Sequence, residues 1–319
     1  MNRALAVFFV LLASLPLALG LSCGNSPSTP SSNPTPTSTP TVSYSLGGSF
    51  GSSGPITMDD PVGVANAGGD LWVTNDMNNS LQEWTTAGVA VTQITSFNAG
   101  ETFSSPWGLA AGPDGYLYVG DEGHHRVVEF DPTGAFVTAF GSAELGSDFS
   151  LGVAVNSTYA FVTDETAKIV IRYTLAGTGS SKTFTSPVSF TASDTAVSPV
   201  TLQAAGIYLD NGGNPFVVGV GTSAVDKFNA SGVFQMEVTQ GVAAPGGVAV
   251  DAAGNIFIAQ TGPGIMPTPS VNQYDPSGNL RATYAAGLLS SPWSVAMDGA
   301  GNLYVCDRGH NQVVRFTRN

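Results

Sequence analysis

The 319-residue sequence predicts an all-β fold, a six-bladed β-propeller of four-stranded blades whose ring is closed by an N-terminal strand completing the last blade. Three observations carry this. A unit of short apolar strands and tight turns recurs six times at intervals of about 45 residues, the period of a four-stranded blade. The composition is turn-rich, with Gly 39, Pro 20 and only 10% charged residues, against roughly a quarter in an ordinary globular chain. The sixth unit stops at Asn319 one strand short, while a spare strand, Val42 to Phe50, precedes the first unit.

Residues 1–22 carry one early basic residue, Arg3, an apolar core AVFFVLLASLPLAL and small residues before Cys23, the pattern of a secretory signal peptide. The apolar run approaches the length of a membrane span, so an uncleaved anchor is the alternative. Pro16, Gly20 and Ser22 favour cleavage. The segment Leu19-Gly20-Leu21-Ser22-Cys23 resembles the lipobox of bacterial lipoproteins, which implies a diacylglycerol thioether on Cys23. Ser22 fits that pattern; Gly20 departs from the usual Leu, and ordinary cleavage near Ser22 is the competing reading. Residues 23–41 form a Ser/Thr/Pro tract without hydrophobic periodicity, which cannot build a core and reads as a tether. At about 3 Å per residue it would reach on the order of 50 Å. The expectation is a domain exported across the cytoplasmic membrane and lipid-anchored at the bacterial cell envelope, facing the periplasm or exterior; a secreted soluble domain is the alternative.

The units of residues 42–319 begin at Pro61-Val-Gly-Val-Ala, Pro106-Trp-Gly-Leu-Ala, Ser150-Leu-Gly-Val-Ala, Ala205-Gly-Ile-Tyr-Leu, Gly246-Gly-Val-Ala-Val and Pro292-Trp-Ser-Val-Ala. These first strands are small-residued, as converging blades demand at an axis. The second strands, such as Tyr116-Leu-Tyr-Val and Ile256-Phe-Ile, are apolar on both faces, as expected of a blade sandwiched between two others. Third strands end in Trp84, Phe130, Tyr173, Phe228, Tyr274 and Phe316, and turns such as Asp131-Pro-Thr-Gly134 follow. Closure by Val42 to Phe50 would remove an exposed edge.

These units resemble NHL repeats, most closely over Pro106 to Gly134, Gly247 to Ala259 and Pro292 to Phe316; the fourth unit departs most, with Gly219 where the pattern has Asp. The resemblance implies a six-bladed propeller and leaves function open, since NHL propellers serve as RNA binders, protein-binding modules, sensors and occasional lyases.

Charge and composition narrow the functions. With 23 acidic against 10 basic residues and no run of Lys and Arg, the chain lacks a phosphate-binding surface, and nucleic acid is not an expected partner. The acidity suits solubility, and a monomer is expected. Cys23 and Cys306 are the two cysteines, at unlike positions, so neither a disulfide framework nor a cysteine metal site is expected; Cys306 reads as a small packing residue.

An Asp closes the second strand as Asp121, Asp164 and Asp307, with Asn75 and Gln260 at equivalent places. A partial carboxylate ring holding a divalent cation is one reading, and a hydrogen bond to the following turn is the other. Copying from blade to blade favours the second. His124 and His310 occupy matching turns of units two and six, separated by unit one, and too few histidines are present for a zinc lyase centre. Non-repeated features point elsewhere. Strand parity places Trp107 and Trp293 at the same end of the propeller as two long irregular segments, Thr185 to Thr201 with Phe190 and Thr261 to Asn272 with Met266. Aromatic and Met side chains over a rigid scaffold form a candidate binding face, with His124 and His310 beside it. The sequence therefore favours a non-catalytic module that binds a protein, peptide or glycan, with no cofactor predicted. The alternative is a propeller enzyme, a lyase or lactonase-like hydrolase with a metal in its central channel.

Overall fold

A computed structural model describes residues 42–146, 151–191, 203–220, 223–262 and 268–319. Within the compact unit Thr41–Asn319, these residues form six four-stranded antiparallel sheets. Blade one is Pro61–Ala67, Asp70–Asn75, Ser80–Thr85 and Ala90–Ile94; blade two is Pro106–Ala111, Leu117–Asp121, Arg126–Phe130 and Phe136–Phe140. Blade three comprises Val153–Val155, Tyr159–Asp164, Ile169–Ala176 and Thr183–Thr191, and blade four Gln203–Leu209, Pro215–Val220, Ala224–Phe228 and Phe234–Val238. Blade five is Pro245–Val250, Ile256–Gln260, Ser270–Tyr274 and Leu280–Tyr284. Blade six has Pro292–Met297, Leu303–Asp307 and Gln312–Arg318, and its fourth strand is Tyr44–Phe50 from the other end of the chain. Each inner strand neighbours the next, and blade six returns to blade one, so the ring is closed.

Closure is a matter of register and ring packing. Tyr44 pairs with Arg318 and Phe50 with Val313, across a bulge at Leu46 and Gly48. Tyr44 then meets Phe257 edge-on at 5.5 Å in blade five, while Phe50 lies 5.3 Å from Trp84 in blade one. The closing strand thereby ties blade six to both neighbours.

The core lies in the seams between blades. Second-strand residues such as Leu71, Val119, Val162, Val217, Ile258 and Val305 are fully buried, because both faces of each blade are covered. The third-strand aromatics from Trp84 to Phe316 are buried as well, each filling the wide outer part of a seam. Near the axis the need reverses, and backbones must approach. A Cβ on Gly108 would lie 2.2 Å from the Leu151 carbonyl oxygen, which instead accepts the Gly108 N–H at 3.0 Å. Where blades one and three have Thr instead of Gly or Ala one residue before the second strand's end, the hydroxyl bridges to the next blade. Thr74 accepts from Gly63 N–H and donates to the Trp107 carbonyl at 2.6 Å; Thr163 accepts from Gly152 N–H and donates to Ala205. Cys306 occupies this same position in blade six, fully buried, and burial pushes its thiol up.

Two sequence expectations change. The segment starting at Thr185 is not irregular throughout, because Thr183–Thr191 is the fourth strand of blade three. Ser186 and Pro187 do not end it; they fall at a register shift opposite Arg172 and Thr174, where an edge strand absorbs a proline. Likewise Ser270 to Asn272 are already in the third strand of blade five.

Candidate functional site

Inner strands run from the end of the propeller where blade links enter, here the upper end, to the lower end where the first turns lie. Matching residues of the six blades lie at the upper end, Val62, Trp107, Leu151, Ala205, Gly246 and Trp293, and all but the fully buried Leu151 line the upper chamber. Blade one separates the two tryptophans, yet it carries only Val62 and Gly63 there. The indoles consequently meet, with centroids 5.4 Å apart and planes at 83°, an edge-to-face pair. Gly63 is required beneath them, since a Cβ would stand 2.6 Å from the Trp107 carbonyl.

Arg308 covers this pair. Its guanidinium carbon sits 5.1 Å from the Trp107 ring centre and 5.0 Å from that of Trp293, within cation–π range of both. Asp60, on the link into blade one, holds the guanidinium through two hydrogen bonds. The Asp60 N–H donates in turn to Asn311 Oδ1 at 3.0 Å. Burial raises the carboxyl of nearby Asp76; a hydrogen bond with Ser105 opposes the shift and the charge of Asp60 adds to it. Met77 and Leu288, 67% and 58% exposed, belong to a turn and a link at this same end. The upper mouth is therefore an aromatic floor under an oriented cation.

The repeated acids have a different job. Asp121 Oδ1 accepts the Ser104 N–H at 2.7 Å, and Asp307 Oδ1 accepts those of Ser290 and Ser291 at 2.8 and 3.0 Å. Asn75 takes the Asp59 N–H and Gln260 the Ala243 N–H in the same manner. The shared backbone partner is thus the link before the inner strand, 16 or 17 residues upstream. Asp164 accepts from the link at Gly146, 3.4 Å, and also from a backbone N–H of the following turn, Ala167, at 2.5 Å. The second oxygen of Asp121 meets His124 Nδ1 at 2.9 Å, and that of Asp307 meets His310 Nδ1 at 2.7 Å. Both imidazoles keep their other edge in solvent. Among the described residues no three His, Cys, Asp or Glu side chains converge as metal ligands.

The remaining candidates separate from this cluster. Phe190 sits in the seam between blades three and four, 5.6 Å from Phe228, with its ring where a Cβ on Gly232 would be. Met266 and Cys23 lie outside the described residues. Sequence reasoning did not find Arg308, Asp60 or Tyr208. The signal for Arg308 was its place, directly after the Asp of a Trp-bearing unit, where the other such unit has Glu122.

Below the tryptophans the channel widens at both sides of a waist formed by Leu109, Val153, Ile207, Val248 and Ser294. The upper chamber holds about 50 Å³ and the lower about 210 Å³. Among the described residues neither is lined by an Asp, Glu, His, Lys or Arg side chain. That lining can hold a ligand by contact and neutral hydrogen bonds rather than as an acid, a base or ligands for a hard cation.

Fold and site together define a six-bladed β-propeller with an aromatic and cationic upper mouth over a neutral channel. The NHL repeat model matches residues 103–130 and 289–316, in blades two and six. Solved structures share the fold. Catalytically inactive virginiamycin B lyase from Staphylococcus aureus with quinupristin superposes with a TM-score of 0.58 at 15% identity, over 83% of each chain. A streptogramin B lyase gives 0.58 at 11% identity over 86% of this chain and 98% of its own. A protein of unknown function from Bacteroides thetaiotaomicron VPI-5482 gives 0.65 at 15% identity, over 86% of this chain and 76% of its own. At these identities the likeness is one of fold. No curated protein matches the sequence.

Proposed function

We propose that the protein is an extracytoplasmic, lipid-anchored NHL propeller that binds a protein, peptide or glycan at its upper mouth without catalysing a reaction. The observation that carries this reading is the Trp107–Trp293 pair beneath Arg308. Such groups combine large contact area with an oriented donor, the combination that dominates binding hot spots, and among the described residues the channel below is lined by neutral side chains. Partner capture from envelope extracts tests it. The double variant Trp107→Ala, Trp293→Ala and the single Arg308→Gln are expected to lose the captured partner; capture unchanged by both would remove the upper mouth from consideration. Anchoring is tested separately: Cys23→Ser should release the protein from membranes and abolish labelled fatty-acid incorporation.

A second reading, a lyase or lactonase-like hydrolase, is favoured by the two Asp–His pairs on the upper end and by the names of the two lyases that share the fold. Metal analysis of the purified protein, with substrate turnover before and after chelation, separates the two: metal-dependent turnover would replace the binding-module reading.

A further inference from the structure

One matching inner-strand position is alanine in five blades, Ala65, Ala110, Ala154, Ala249 and Ala296, and tyrosine in blade four, Tyr208. Register explains the alanines. Each pairs with a large aromatic of its second strand, Trp72, Tyr118, Phe161, Phe257 and Tyr304, and that ring already fills the seam. Blade four keeps its aromatic, Phe216, opposite Tyr208. The extra ring packs between the seam clusters of blades four to six and lines the lower chamber.

Its hydroxyl is the second feature. Tyr118, Tyr173, Tyr274, Tyr284 and Tyr304 all hydrogen-bond to protein groups. The Tyr208 hydroxyl, like those of Tyr44, Tyr116 and Tyr159, finds no partner among the described residues, and of these four only Tyr208 lines the chamber. Around it the chamber is aliphatic, with Leu109, Val155, Leu209 and Met297, and its polar side chains are Asn66 and Ser294. Burial, and secondarily the charge of Asp251 just past the inner strand of blade five, raises the Tyr208 phenol above its ordinary value. Among the described residues no basic side chain lines the chamber, and the chain as a whole carries a formal charge of −13.

We propose that the lower chamber binds a small organic cation with a one-ring apolar body, recognised by the ring and hydroxyl of Tyr208. A cavity of about 150 Å³ is enough for benzene, so 210 Å³ admits one ring with a short ammonium-bearing arm. The phenol face attracts the cation, its hydroxyl accepts an ammonium N–H, and the net negative charge of the chain disfavours an anion. This site is independent of the upper mouth and of what binds there.

Calorimetric titration of the purified protein with phenethylamine, phenylacetate and 2-phenylethanol tests the proposal, since the three share a body and differ in charge. Phenethylammonium is expected to bind with a dissociation constant of about 10 mM or tighter, and at least about tenfold more tightly than phenylacetate. Tyr208→Phe should weaken it and Tyr208→Ala abolish it. Ala111→Leu, which narrows the chamber from blade two, should abolish it too, with folding followed by circular dichroism. The Trp107→Ala, Trp293→Ala variant should bind phenethylamine as the parent does, which keeps this result separate from that of the upper mouth. Absence of binding, equal affinity for phenylacetate, or indifference to both Tyr208→Phe and Ala111→Leu would overturn the proposal.

Discussion

Replacing Asp307 with alanine asks whether the repeated acids are structural clamps or cation ligands. Asp307 is fully buried, and its Oδ1 receives the Ser290 and Ser291 N–H groups at 2.8 and 3.0 Å. Its Oδ2 meets His310 at 2.7 Å and Gln312 at 3.2 Å. The substitution strands two backbone donors, while His310 can turn to water. At about 1–3 kcal/mol for each stranded donor the cost is about 2–6 kcal/mol. For a domain of this size that lowers the melting temperature by roughly 4–24 °C. Thermal unfolding followed by circular dichroism, with and without chelator, is the assay. The clamp account expects a large destabilisation in Asp307→Ala and no effect of chelator on the parent. A variant melting within a degree of the parent, or a parent whose melting temperature falls on chelation, would refute it.

Three further substitutions test the seams and turns. Thr74→Val keeps the shape but leaves Gly63 N–H and the Trp107 carbonyl without their bridge, and urea unfolding should show a loss of about 1–3 kcal/mol, with Thr74→Ser close to the parent. Lys182, 5% exposed, bonds Glu129 and Tyr118 at 2.7 Å each and Asp114 at 2.9 Å. Lys182→Met should cost about 3–5 kcal/mol by leaving the buried Glu129 unpaired; adding Glu129→Gln should recover most of it, and no recovery would argue against charge as the cause. At Asp275, burial acts to raise the carboxyl but is outweighed by hydrogen bonds from Asn279, Arg281 and the Ser277 N–H, which hold it at about 2. Because the folded value lies below the unfolded one, the stabilisation is present above about pH 4 and is lost as the pH falls toward 2. Urea midpoints measured across that window should drop less steeply in Asp275→Asn than in the parent.

Much of the architecture was legible because it is periodic. Blade number, strand order and closure by Val42 to Phe50 all follow from repeated local patterns. Legibility failed where a residue's partner is remote. The repeated Asp was visible, but its link partner, 17 residues upstream for Asp121, depends on how the link folds back over the strand end. Phe190 read as part of a loop because Ser186-Pro187 breaks the alternation, whereas an edge strand tolerates that break and sends the ring into the seam. The two tryptophans could be placed at one end by strand parity. Their contact could not, because it depends on blade one offering only Val62 and Gly63 between them.

By itself, the sequence determined what depends on neighbours along the chain: the strands, the turns, the six-fold repeat and the small residues needed at the axis. The tertiary structure decided what depends on ring closure. Converging inner strands bring residues from non-adjacent blades within van der Waals reach, which placed Arg308 over Trp107 and Trp293. The same convergence leaves a chamber whose size and neutrality are properties of all six blades at once. Against that ring of alanines, the single tyrosine of blade four acquires a meaning that its own repeat did not disclose.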